Sequence, residues 1–225
     1  MAVRLLFPTI LFEYNILEEG LVSESYLQEL KADIDGMRAK DPVGRQISNA
    51  YSGWQSNDGV ETRPAWVKMM RVIKDKMNQD VIPFNGVDPR KIQLSVGNAW
   101  ANINDFGAWN KPHLHNGCWY SGSVYLHADG DEGHLIAINT DHKVVSDFPP
   151  TTRHVDSHAF SPIPGSLYMF PSGMMHMVEP NQTNKDRYSV AFNSNTRYFD
   201  QGRDPVETPK DWNRFEIGED GELTK

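Results

Sequence analysis

Between residues 91 and 195 the sequence falls into short strand-like runs, at 91–104, 122–128, 133–139, 166–170 and 188–195, separated by turn-forming clusters. A run this short cannot bury its apolar side chains by itself. Several in succession bury them against one another, which leaves a sandwich or a barrel as the architecture. Two amphipathic helices precede them. In the first, Leu27, Leu30, Ile34 and Met37 recur at three- to four-residue spacing, and Ser25 with Gln28 has the form of a capping box. The second is expected over 64–77, opened by Pro64, with Trp66, Met69, Met70, Ile73 and Met77 on one face. The fold class is therefore α+β, mainly β. The 225 residues suit a single domain, 1–225, with a helix- and strand-bearing N-terminal region over 1–90, a β core over 91–199 and a tail over 200–225.

Residues 3–14 read as a strand; Pro8 and Glu13 interrupt the apolar run and argue against a signal peptide. Residues 41–64, rich in Gly, Asn and Ser, read as a long irregular loop. Trp54 within it either pins the loop or anchors a lid over a pocket, the pin being favoured. The charged tail after Phe199 is expected to wrap loosely or fray. No apolar run approaches the roughly 20 residues of a membrane span. The net charge of −8 comes without any Lys/Arg-rich stretch, which argues against general nucleic-acid binding. A lone cysteine, Cys118, excludes an intramolecular disulfide and favours a reducing, cytoplasmic setting. The sequence is silent on assembly and compatible with a homodimer.

All eight histidines lie between residues 113 and 176. His113 and His115 are two apart, so on an extended strand they project to one face and can chelate one ion. His176 closes the strand-like run 165–176, as a ligand on a neighbouring antiparallel strand would. Three protein ligands on one side leave coordination positions open, as an iron(II) oxygenase requires for co-substrate and dioxygen. Farther along, DRYSVAFN places Arg187 and Ser189 at alternate positions before an apolar run. Facing inward, Arg187 could hold a carboxylate in bidentate fashion with the Ser189 hydroxyl beside it; facing outward, it would pair with Asp186 or Glu179. A buried guanidinium demands an anion.

His127, two residues after Tyr125, could line the same barrel face as a substrate contact or a support to the site, a partly buried, hydrogen-bonded histidine being the favoured reading, whereas His134, His142, His154 and His158 fall in or beside polar turns and are expected to be solvated. Asn98, Asn102 and Asn104 share one face of their strand, either inward, where Asn102 could meet substrate, or outward.

Taken in order, His113-Leu114-His115, Ser121-Gly122-Ser123-Val124-Tyr125, Phe170-Pro171 through His176, and Arg187-Tyr188-Ser189-Val190-Ala191-Phe192-Asn193 carry a resemblance. The sequence resembles the 2-oxoglutarate/iron(II) oxygenases in which HxH precedes SG-x-x-Y, and FP-x-x-x-x-H precedes R-x-S-x-x-FN. The opening LFPTILFEY is similar too, so the resemblance spans about residues 5–199. It implies a double-stranded β-helix, a jelly-roll, cupin-like barrel with helices packed outside. It implies Fe(II) held by His113, His115 and His176, with the far carboxylate of 2-oxoglutarate on Arg187, Ser189 and Tyr125. The implied reaction oxidises a small-molecule or peptidyl substrate, with release of succinate and carbon dioxide. His115 stands where the wider superfamily carries Asp or Glu, which removes one negative charge from the metal site. A second registration reads His115-Asn116-Gly117 as the H-x-G of halogenating relatives. The other readings are a three-histidine cupin-like dioxygenase needing no keto acid and a non-catalytic metal-binding jelly roll; Arg187 and Ser189 speak for the co-substrate.

Overall fold

The computed structural model describes residues 2–4, 8–140, 156–199, 214–217 and 223–224. Its strands are β1 (Ala2–Arg4), β2 (Phe12–Asn15), β3 (Asn49–Ala50), β4 (Trp54–Gln55), β5 (Ile92–Asn104), β6 (Trp109–His113), β7 (Tyr120–His127), β8 (Leu135–Ile138), β9 (Ser157–Phe160), β10 (Ser166–Pro171), β11 (His176–Val178), β12 (Arg187–Tyr198), β13 (Arg214–Ile217) and β14 (Leu223–Thr224). Two antiparallel sheets form the barrel, one in the order β2-β10-β7-β12-β5-β4 and the other β3-β6-β11-β8-β9. The fold is a double-stranded β-helix with helices on one side.

Period-2 alternation along β12 divides its residues between two environments. Tyr188, Val190 and Phe192 join the main apolar cluster with Leu27, Leu30 and Ile34 of helix α1 (Glu24–Lys40) and Met69 and Ile73 of helix α2 (Val67–Lys76). Each such side chain, fully buried, contributes about 1.5–3 kcal/mol. Arg187, Ser189 and Ala191 point the other way, into the space between the sheets. That space is closed at one end by a second cluster of Tyr125, Leu135, Tyr168, Phe170 and Met174.

Several expectations are corrected. Helix α1 is capped by Ser23, whose Oγ accepts from Tyr26 N at 3.2 Å, and not by Ser25, which lies inside the helix with its hydroxyl on Ser23. The second helix begins with a tight turn at Pro64–Trp66 and runs on through a π-turn, Met77–Val81, into α3 (Ile82–Phe84), one turn in which Pro83 is the middle residue. Residues 3–14 are two strands, not one. Residues 41–64 are largely irregular, as expected, but carry two short strands: β3 pairs with β6 of the smaller sheet and β4 with β5 of the larger, so the segment straps both together. Trp54 is buried and its Nε1 donates to Asp41 O at 2.8 Å, the pinning role. Where the tail is described it does not fray: β13 pairs with β1 and with β14. No helix among the described residues is long and apolar enough to cross a membrane.

Candidate metal centre

Antiparallel pairing sets His176 of β11 opposite His113 at the end of β6. His115 follows two residues later, its N–H donating to Ser172 O at 2.8 Å. The three rings converge, with centroids 5.3 Å apart for His113 and His115, 4.3 Å for His113 and His176, and 5.1 Å for His115 and His176. Their nitrogen donors lie within 4.8 Å of one another, a set that could hold a metal ion.

Each Nδ1 meets an oxygen that can only accept. That of His113 donates to Lys111 O at 2.6 Å, that of His115 to Asn193 Oδ1 at 2.5 Å, and that of His176 to Met174 O at 2.9 Å. A proton on every Nδ1 leaves every Nε2 with a bare lone pair, the form in which imidazole ligates a metal. Burial lowers the pKa of all three rings; His176, buried deepest and beside His113, is pushed down to about 3. The triad is neutral at pH 7, and no proton competes for the converging nitrogens.

One layer deeper lies Arg187, 1% exposed. Its Nη1 donates to the carbonyls of Glu132 at 3.1 Å and Gly133 at 2.6 Å, while Nε is buried without a partner. Register aligns Asn102, Ser189 and Tyr125 across β5, β12 and β7, and all three line the cleft between Arg187 and the histidines. The Asn102 Oδ1 is likewise buried and unpartnered. Burial raises the Tyr125 phenol, opposed first by the Arg187 cation, and keeps its O–H a donor. The free space is about 50 Å³, several times the roughly 10–15 Å³ that one water needs on this measure. An orphaned guanidinium edge beside three bare imidazole nitrogens fits a metal together with a small anion.

Two expected contributors lie elsewhere. Trp54 does not line the cleft, and neither does His127. The reason for His127 is a register shift: Ser189 pairs with Tyr125 but Tyr188 with His127, so the bulge reverses the alternation and stacks His127 edge-on against the Tyr188 ring at 6.0 Å. His134 is not simply solvated; its Nδ1 donates to Glu179 Oε2 at 2.8 Å. His158 is exposed on β9 beside Phe160, and His142 and His154 lie outside the described residues. Gly117 does not line the cleft, while His113 does, so the H-x-G registration leaves a converging imidazole unexplained. Asn193 is the contributor that sequence reasoning missed: it closes the RYSVAFN run, and even spacing from Arg187 and Ser189 was the available signal.

Residues 98–193 match the family described as "Putative 2OG-Fe(II) oxygenase", a span that includes all three histidines, Arg187 and Asn193. The matched span lies within the β-helix core and takes in neither helix α1 nor helix α2. No curated protein matches the sequence. Among solved structures, the β-helix core and its flanking helices are similar to a Pseudomonas putida prolyl-4-hydroxylase, with 17% identity, a TM-score of 0.56, and 81% of this chain and 91% of that one covered. HygX from Streptomyces hygroscopicus, with nickel and 2-oxoglutarate bound, is similar at 13% identity and a TM-score of 0.55, covering 89% and 88%. The viral collagen prolyl hydroxylase of Paramecium bursaria Chlorella virus-1, a 2-oxoglutarate complex, follows at 14% and 0.51, covering 82% and 94%. At such identities the likeness speaks for the oxygenase fold alone.

Proposed function

We propose that the chain is a single-domain hydroxylase, 1–225, in which Nε2 of His113, His115 and His176 hold Fe(II), and Arg187, Ser189 and Tyr125 receive the far carboxylate of 2-oxoglutarate. The observation that carries this reading is the Arg187 guanidinium, buried with an unpartnered Nε in the same cleft as three bare imidazole nitrogens. A buried cation with an unfilled donor calls for an anion. When bound, the iron and co-substrate would, with one dioxygen, supply oxidative decarboxylation to succinate and carbon dioxide coupled to hydroxylation of a substrate C–H bond, one oxygen atom going to succinate and the other to the substrate.

The residues supply position. The three Nδ1 contacts hold the imidazoles in one orientation. Phe170, packed on His176 at 4.8 Å, and Trp100, tilted against His115 at 5.6 Å, shield the ligands from water. Asn102 Oδ1 is an acceptor for a donor group on substrate. A small molecule or a peptidyl side chain is the substrate class, in keeping with solved relatives named as prolyl hydroxylases and with HygX bound to hygromycin B. A free, half-buried Cys118 supports a cytoplasmic setting.

The test is anaerobic addition of Fe(II) and then 2-oxoglutarate, with a weak visible charge-transfer band expected, followed by oxygen-dependent succinate release on substrate screening. Metal binding with no band and no succinate overturns the reading in favour of a keto-acid-independent dioxygenase or a non-catalytic metal-binding module.

A further inference from the structure

Of the Asp, Glu, Lys and Arg side chains among the described residues, Arg187 and Glu132 are the buried ones, the latter 0% exposed. They are neighbours that do not join end to end. The Arg187 Nη1 grips the backbone carbonyls of Glu132 and Gly133. The Glu132 carboxylate turns back on its own loop, where Oε2 accepts from Asp129 N at 2.9 Å and Gly130 N at 3.1 Å. Oε1 of Glu132 and Nε of Arg187 are both left without a partner.

A neutral side chain could accept the same two N–H groups. Burying a carboxylate there, with one oxygen unsatisfied, is costly unless its charge has a use. The charge lies within one side chain's length of a carbonyl that the guanidinium grips; burial lowers the Arg187 pKa, and the Glu132 carboxylate opposes that. The turn is also stiff. Gly133 sits at φ +89°, and a methyl there would collide with the Glu179 carbonyl.

We propose that Glu132 is the built-in counter-ion of Arg187, a positioning residue that holds the guanidinium in place before co-substrate arrives and then opposes the incoming carboxylate. This rests on Arg187 receiving 2-oxoglutarate. Succinate keeps the same far carboxylate, so the opposing charge weakens product and co-substrate alike and favours turnover over product retention.

The test is calorimetric titration of the Mn(II)-loaded protein with 2-oxoglutarate and with succinate under anaerobic conditions. Glu132→Gln keeps an acceptor for Asp129 and Gly130 but removes the charge. We expect it to bind both dicarboxylates roughly tenfold tighter, the scale of one unit charge several ångströms away in a partly polar interior, while melting at a lower temperature when ligand-free. Glu132→Ala, which also uncaps the turn, is expected to bind them more weakly than the parent. A merely structural role gives no tightening in Glu132→Gln, and equal or weaker binding by that folded variant overturns the proposal. Should Glu132→Gln not fold, Glu132→Asp decides: retained charge predicts near-parent affinity, and a loss as large as in Glu132→Ala overturns it. Unchanged binding in Arg187→Ala removes the underlying site instead, an outcome separate from any result at Glu132.

Discussion

The Asn193 amide oxygen accepts from both His115 Nδ1 and Ser121 Oγ, the latter at 2.8 Å, so one side chain on β12 ties an imidazole to β7. Replacing a partner that orients a ligating histidine typically weakens metal binding about 10–100-fold. Asn193→Ala is expected to fall in that range in Mn(II) titration, and parent-like affinity would show the ring to be held by packing alone. His176→Ala is expected to lose metal outright, whereas Arg187→Ala should keep its metal content and lose most 2-oxoglutarate affinity; metal analysis and co-substrate titration separate the two. That His113, His115, His176, Arg187, Ser189 and Tyr125 would lie near one another was suggested by alternate spacing for His113 with His115 and Arg187 with Ser189, and by the family resemblance alone for Tyr125; all six line the cleft. Asn193 and Glu132 were not legible. The role of Asn193 comes from cross-strand register, and that of Glu132 from a turn that brings its backbone, not its side chain, to Arg187. His127 is half-buried, and a one-residue bulge, which leaves no mark in composition, turns it away from the cleft.

Helix α1 meets the larger sheet through Leu27, Leu30 and Ile34, all buried. Ile34→Ala is expected to cost about 2–5 kcal/mol, measurable by urea denaturation. Asp33 on the same helix accepts from Arg63 Nε at 2.7 Å and Trp66 Nε1 at 2.8 Å, joining α1 to the turn that opens α2. These bonds, the Arg63 one foremost, hold its carboxyl below the usual 3.8. A pKa depressed in the folded state adds stability that is complete above the unfolded value and lost as pH falls toward the folded one. Stability should therefore decline as the protein is titrated below about pH 4, and Asp33→Asn should be less stable at neutral pH and lack this component of the acid decline. At Gly122, where a methyl would collide with the Tyr168 carbonyl and the Phe192 ring, Ala should destabilise β7 markedly in thermal melts. The helix faces were legible from apolar spacing and the long strands from composition. The two-residue strands β3 and β4 were not, since elements so short are defined by their partners and carry no periodicity.

Across the whole molecule, the larger sheet belongs to both apolar clusters, through Val124 and Val190 on its helix side and Tyr125 and Tyr168 on its cleft side. Sharing that sheet predicts one cooperative transition, with far-ultraviolet dichroism and tryptophan fluorescence melting together; two separated transitions would argue against the single-domain proposal. The short segment from β3 to β4 has a further consequence. It hydrogen-bonds to one wall of the cleft and, a few residues on, to the other, with Ser48 at its base reaching the cleft lining. Such a staple opposes any clamshell gaping of the walls near the histidines, a motion that would have to break backbone pairing to both sheets at once.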